Sequence, residues 1–531
     1  MKQFLLRRAV AIAAIASIAL PVGASNLPLP APEATAAITA RDLKRHLSFL
    51  ASDELGGRYT LSSGNRIAAR YIASQLEFYG FHGAARDGSF FQKVPIVTQK
   101  IDSGSTGLTI ASGETKQSFK YADDFISSAP RDAALTGELI FVGQGISSPR
   151  TGRDDYAGLD VTNKIVVLAA PDERAQAKYE TAEKGEGAAI KHGAAAVILT
   201  PSSAFLSAWS QIKFYESREQ TGLDRRSVHG KSVPALLAGP PLIKSLAALL
   251  GKEAGYLTNP SAKPPEPLKL AARADIKMKV EAKPNPQAQN VAGILEGADP
   301  KLKNEYVVFS AHYDHLETTP KGEVYNGADD DGSGTVSVLE IAHALAVGPR
   351  PKRSILVVFH TGEEMGLLGS EYNTDYEPVV PLEKLVADFN IDMVGRSRTV
   401  DNLDVRDKEL TDKDSLYIIG ADKLSTELNK LSEQTNADTS RMRFDLTYND
   451  ENHPQHFYYR SDHYNYAKHG IPIIFYFTGV HRDYHRTTDD VDKIDFEKME
   501  RIDRMIFATG WRVANLDHRL VVDKKPAPAP Q

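Results

Sequence analysis

From residue 290 onward, apolar runs suited to buried strands alternate with helical periodicity, and five successive segments deliver an acid or a histidine where such a run ends. They are Ser310-Ala311-His312-Tyr313-Asp314, Asn326-Gly327-Ala328-Asp329-Asp330-Asp331-Gly332-Ser333-Gly334, Thr361-Gly362-Glu363-Glu364, Asn390-Ile391-Asp392-Met393 and Asp483-Tyr484-His485-Arg486. Strands are predicted at 291–295, 306–310, 354–360, 386–391 and 472–477, and helices at 333–346 and 424–435. That alternation predicts a doubly wound α/β sheet, with functional loops at the carboxyl ends of its strands. Histidines, aspartates and a glutamate pair presented there are enough to hold two divalent metals and leave one carboxylate free as a base.

Composition narrows the chemistry further. A chain of 531 residues is too long for one compact core, so two or three domains are expected. A formal charge of -6, with no Lys/Arg-dense run, argues against a nucleic-acid partner. The chain has no cysteine, which excludes disulfides, thiol nucleophiles and thiolate metal ligands. Any metal must then be held by histidine and carboxylate, donors that suit a hydrolytic site open to water.

Residues 1–24 combine a basic start (Lys2, Arg7, Arg8), a short apolar stretch and Val22-Gly23-Ala24, the pattern of a cleaved secretory signal. The protein is therefore expected to be exported, periplasmic or secreted, with no integral membrane segment after cleavage. Residues 39–81 are helical in pattern, within an N-terminal part of the main domain at 38–133. Residues 134–251 read as a small strand-rich unit free of the ligand segments. A Pro-rich stretch follows, with Pro260, Pro264, Pro265, Pro267, Pro284 and Pro286, and reads as a boundary linker. The main part of the domain is expected over 280–520, and a disordered Pro/Ala tail over 521–531.

Within the ligand segments, His312 is a candidate metal ligand and Asp314 a carboxylate that would orient its ring. The run Asp329-Asp330-Asp331 suits a helix N-terminus as capping acids, and one of the three is well placed to bridge two metals. Glu363 and Glu364, adjacent on a loop, point different ways, so one can bind metal while the other takes a proton from water. Asp392 interrupts an apolar run and needs a partner. His485 follows Tyr484 in a polar loop. The other histidines, His315, His360, His463 and His481 among them, read as structural or surface residues, although His463 and Tyr464 lie near enough in sequence to a strand to reach the pocket. The set implies a metallohydrolase.

These motifs, His312-x-Asp314, Gly327-Ala328-Asp329-Asp330-Asp331-Gly332-Ser333-Gly334, Gly362-Glu363-Glu364-Met365-Gly366, Asn390-Ile391-Asp392-Met393 and Tyr484-His485, together resemble the dizinc aminopeptidases. That family includes bacterial leucyl aminopeptidase and, more distantly, glutamate carboxypeptidase. The resemblance implies a mixed sheet of the zinc-dependent exopeptidase type, with 134–251 as an inserted protease-associated domain. It implies two zinc ions, one on His312 and Asp392, the other on Glu364 and His485, with Asp330 bridging and Glu363 as general base. A cis peptide at Asp330–Asp331 is implied as well. The expected activity is removal of N-terminal residues from peptides. A dipeptidase or carboxypeptidase on the same core and a non-catalytic peptide-binding protein remain the alternatives, and the oligomeric state is not read from sequence.

Overall fold

The computed structural model describes residues 27–127, 130–148, 152–171, 184–224, 233–259, 266–450 and 452–526. The expected signal segment 1–24 lies outside the described residues, as do residues 527–531 of the expected tail.

The principal sheet is mixed. Its main strands are β1 (Gln289–Leu295), β2 (Tyr306–His312), β3 (Ser354–His360), β4 (Leu385–Ile391), β5 (Ser415–Ile419), β6 (Arg443–Asp445) and β7 (Ile473–Phe477). They lie in the order β1-β3-β2-β4-β7-β5-β6, and the short strands His82–Gly83 and Phe91–Lys93 pair with β1. The centre, β3-β2-β4-β7, is parallel, while β1 and β5 join it antiparallel. Every residue of β3 and of β4 is buried. Both are mostly apolar for that reason, with Asp388 and Asn390 the polar exceptions in β4, since a central parallel strand is covered on both faces.

Helices α1 (Ala40–Leu50), α2 (Ser63–Phe78), α3 (Gly334–Val347), α4 (Thr426–Asp438) and α5 (Phe496–Asn515) complete this unit. Leu43, Leu47 and Leu50 of α1 share one core with Ile72 and Leu76 of α2, the face of α3, and Met505 and Ile506 of α5. α3 is apolar almost all round because it lies between the sheet and the outer helices. Gly510 of α5 is a packing requirement: a Cβ there would stand 2.2 Å from Cζ of Phe309 on β2. The other face of the sheet carries a second core built on Phe457, Tyr458, Tyr466, Phe475 and Phe477.

A second sheet lies outside this unit. Its order is Thr115–Lys120, Gly107–Ser112, Leu268–Met278, Ala133–Phe141, Ile165–Leu168, Ala196–Leu199, Ala235–Ala238 and Phe125–Ser127. It extends to both sides of the 134–251 window and includes a parallel stretch, with helices Gly185–Lys191 and Pro240–Leu249. The expected linker is largely strand. Leu268–Met278 pairs on both edges, and Val280–Asn285 joins Ile96–Ile101 and Gln220–Leu223 in a small third sheet. Leu270, Ala272, Ala274, Ile276 and Met278 alternate inward, the period-2 signal that the neighbouring prolines obscured. Leu223 packs with Ile96, Leu368 and Tyr372, seating the third sheet beneath the turn that follows Glu364.

Candidate metal centre

Each expected site residue follows a strand end or a helix start of the principal sheet. His312 is the last residue of β2, Glu363 and Glu364 come just after β3, Asp392 follows β4, and His485 lies in the loop after β7. Asp330 sits in the turn Ala328–Ser333 that leads into α3. The Asp330–Asp331 peptide bond is cis.

The side chains form two adjoining clusters. One gathers His312, Glu363 and Asp392, the other His315, Asp330 and Glu364. Asp330 spans them, with Oδ1 3.4 Å from Nε2 of His312 and Oδ2 3.1 Å from Nε2 of His485. His312 Nε2 is also 3.8 Å from Asp392 Oδ2 and 3.9 Å from Glu363 Oε2. His485 Nε2 lies 3.1 Å from Glu364 Oε2. The adjacent glutamates therefore do point apart, Glu363 to one cluster and Glu364 to the other.

Hydrogen bonds to the backbone fix the turns. Asp331 accepts from the backbone N–H groups of His312, Gly334 and Met393 at 3.3, 2.8 and 3.2 Å, tying three of the segments that carry candidate ligands together. Asp489 accepts from Asp329 and Asp330 N–H at 2.9 and 3.2 Å and pairs with Arg396, which also reaches Asp483 beside the His485 turn. Ser461 Oγ donates to Asp392 Oδ2 at 2.7 Å, supplying the partner that the buried Asp392 requires. Asp314 is fully buried. Thr60 Oγ1 donates to its Oδ2 at 2.7 Å and the Glu363 N–H to its Oδ1 at 3.2 Å. The His312 ring meets the backbone carbonyl of Asp314 more closely (3.1 Å) than its carboxylate (3.7 Å). Asp314 therefore orients the glutamate turn, and its main chain orients the imidazole.

Arg58 crosses to the site from the segment before α2. Fully buried, it donates to the carbonyls of Leu50, Tyr313, Asn326 and Gly327 at 2.6–3.0 Å. It thereby ties two loops that carry candidate ligands to the end of α1.

Electrostatics divide the two glutamates. Burial, reinforced by Glu364, Asp392 and Asp462, pushes Glu363 well above the usual carboxylate range. Burial acts the same way on Glu364, but His315 and His485 outweigh it and hold that carboxyl low. Burial also opposes ionisation of Asp330, yet His315, His312 and His485 keep it an anion.

The arrangement fits divalent metal. Four carboxyl groups, Asp330, Glu363, Glu364 and Asp392, converge where little water reaches, and a cation there would offset the cost of ionising them together. His485 Nε2 and Asp330 Oδ2 are 3.1 Å apart, yet neither atom completes a hydrogen bond. Ligand atoms on a shared tetrahedral zinc ion stand about 3.3 Å apart, given bonds of about 2.0 Å.

A pocket opens over His312, Asp330, Glu363 and Asp392, walled by Phe457, Phe475, Phe477 and Val480, with Arg460 and Tyr484 also lining it. His463 does not reach it. Its ring stacks on Phe475 and its Nε2 meets the Tyr458 carbonyl at 2.8 Å, so it belongs to the core behind the wall. His315 is the residue that sequence reading missed. The signal was available in the spacing His312-x-x-His315 around Asp314. His481, also read as structural, pairs with Asp329 at 3.2 Å.

A mixed α/β sheet presents paired histidine–carboxylate clusters able to hold metal at its strand ends. Residues 290–510 match the model of Peptidase family M28. Aminopeptidase YwaD of Bacillus subtilis is 35% identical over 129 residues, 24% of this chain and 26% of the relative. Leucine aminopeptidase 2 of Trichophyton equinum is 26% identical over 255 residues, 47% of this chain and 45% of the relative. The chain thus spans from about a quarter to under half the length of these curated relatives. Among solved structures, an aminopeptidase from Aneurinibacillus sp. strain AM-1 aligns over 93% of this chain and 99% of its own, at 20% identity and a TM-score of 0.44. Among the described residues, no helix is long and apolar enough to cross a membrane.

Proposed function

We propose that the protein is an exported dizinc aminopeptidase that removes N-terminal residues from peptides. The single observation carrying this reading is Asp330, whose two oxygens face His312 on one side and His485 on the other. His312 and Asp392 would hold one zinc, Glu364 and His485 the other, and Asp330 both. Zinc at such a centre polarises a carbonyl and lowers the pKa of a nearby water. Glu363, with its raised affinity for a proton, takes the proton from the attacking water and returns it to the leaving amine. Tyr484 lines the same pocket, and burial keeps its hydroxyl protonated, so it can donate to the developing oxyanion. The apolar wall of Phe457, Phe475, Phe477 and Val480 suits an uncharged N-terminal side chain.

The strand-rich unit is read as a protease-associated insert that governs access rather than chemistry, since among the described residues the pocket is lined by residues between His312 and Tyr484. Export rests on the sequence of residues 1–24.

The test is turnover of a neutral aminoacyl chromogenic substrate beside its N-acetylated form, with and without chelator. An aminopeptidase cleaves only the free amine, and loses activity to chelation. Equal cleavage of the blocked substrate, or turnover indifferent to chelator, overturns the reading.

A further inference from the structure

His315 is wholly buried, and among the described residues its side-chain polar contacts are with the candidate metal-binding carboxylates Glu364 and Asp330. Nδ1 lies 2.6 Å from Oε1 of Glu364 and 3.6 Å from Oδ2 of Asp330, while Nε2 is buried without a hydrogen-bond partner. The ring is seated by the chain around it. A Cβ on Gly327, which has φ +54°, would stand 2.5 Å from the imidazole Cδ2. The main-chain N–H of His315 donates to the carbonyl of Arg58 at 3.4 Å.

The two histidines beside Glu364 address different oxygens. His485 meets Oε2 at 3.1 Å without a hydrogen bond, a separation that two ligands of one tetrahedral zinc would have. His315 meets Oε1 at 2.6 Å in a hydrogen bond. That is too short for two atoms bound to the same tetrahedral zinc, and it is close to the short limit, about 2.7 Å, of charge-assisted nitrogen–carboxylate hydrogen bonds. From this difference we infer that His315 is a positioning residue rather than a ligand. Its Nδ1–H takes up Oε1 of Glu364, so the carboxylate offers Oε2 alone. The inference rests on the dizinc reading and adds a division of labour to it. Glu363 and Glu364 are neighbours, and clamping one of Glu364's oxygens fixes which of the two faces the His485 side. Histidines and carboxylates paired in this way around zinc sites alter metal affinity by roughly 10–100-fold when removed.

The test uses the full-length protein with His315→Leu, His315→Asn and His315→Gln. The Asn amide N–H stands where Nδ1–H did, whereas the Gln amide reaches towards the Nε2 position. Zinc affinity is measured by competition with a chromogenic chelator, and the geometry of the site by visible absorption of the cobalt-substituted protein. One of two zinc sites should weaken by roughly 10–100-fold in H315L and recover to within a few-fold in H315N but not in H315Q. The cobalt spectrum should change in H315L, and kcat should fall with KM little altered. Two tight zinc sites in H315L, or H315N binding zinc no better than H315Q, overturns the inference. Should H315L fail to fold, the Asn–Gln pair carries the test alone. If the parent protein itself lacks two zinc sites, the dizinc reading fails, a result distinct from any contrast among the variants.

Discussion

Replacing Arg58 by Met removes a buried cation but keeps a side chain of similar length at the same left-handed φ of 59°, so the backbone is not newly strained. Arg58 serves four carbonyls, those of Leu50, Tyr313, Asn326 and Gly327. Gly327 retains a second bond from the Gly332 N–H, which leaves three acceptors to lose this donor. At about 1–1.5 kcal/mol for each buried acceptor left unsatisfied, the gross loss is roughly 3–4.5 kcal/mol. Regaining hydration of the guanidinium in the unfolded reference offsets part of this, so a net loss of about 3 kcal/mol is expected. The loss should be read by urea unfolding of the metal-free protein, because bound zinc would add its own stabilisation. With zinc present the gap should widen, since Tyr313 and Asn326 lie in the loops bearing His312 and Asp330 and the variant should bind metal less well. Arg58→Lys, with one ammonium for several carbonyls, should fall between. A loss under about 1 kcal/mol with normal zinc affinity would refute the reasoning.

Three further outcomes follow from the site and its surroundings. Glu363→Gln should lower kcat by at least about 10²-fold with zinc content near normal, whereas Glu364→Gln should lose zinc; the opposite pattern in metal analysis would exchange their roles. Gly327→Ala would set a Cβ 2.3 Å from the Asp330 carbonyl and against the His315 ring, at φ +54°. A destabilisation of roughly 2 kcal/mol or more, measured by thermal unfolding, is expected together with weakened zinc binding. Burial opposes ionisation of Glu340, but His343 and His46, the latter 3.0 Å away, outweigh it and hold its carboxyl below the ordinary range. A lowered folded pKa contributes stability above the unfolded value of about 4.3 and loses it as pH falls through the folded one. Glu340→Gln should therefore be less stable than the parent at pH 7 and converge with it in acid; a gap unchanged down to about pH 3.5 would count against the pairing.

The parallel centre of the sheet was legible because its strands are short apolar runs ending in polar residues, and β3 has the bounds expected from sequence. β5 and β6, and the 20-residue helix α5, were not. Met499, Ile502, Met505 and Ile506 carry a helical stripe on α5, interleaved with the charged residues Glu497, Lys498, Glu500, Arg501, Asp503 and Arg504. The strand Leu268–Met278 was hidden by its flanking prolines. In the site, residues with a motif around them were found, and those that act through tertiary contact were not. Ser461 is far from Asp392 in sequence, and neither its position nor Arg58's fourfold bond to backbone carbonyls has a local pattern. His315 had a local pattern, but a third histidine was not needed to satisfy the ligand count.

Arg58, the Asp331 turn and Asp489 are drawn from widely separated parts of the chain, yet all hold the same few loops. This has a consequence for biosynthesis. A nascent chain that has emerged as far as Asp392 already carries His312, Asp330, Glu363 and Glu364, but not His485 or the Asp489 carboxylate that receives the Asp329 and Asp330 N–H groups. The strand between β4 and β5 in the sheet, β7, is also still to come. Until it inserts, the acids stand without their last histidine, at the edge of an unfinished sheet. On the proposed dizinc reading, both metals would be bound in their final arrangement only once the last quarter of the chain has folded, so hydrolytic competence would arrive at the end of folding and no shorter N-terminal fragment would acquire it.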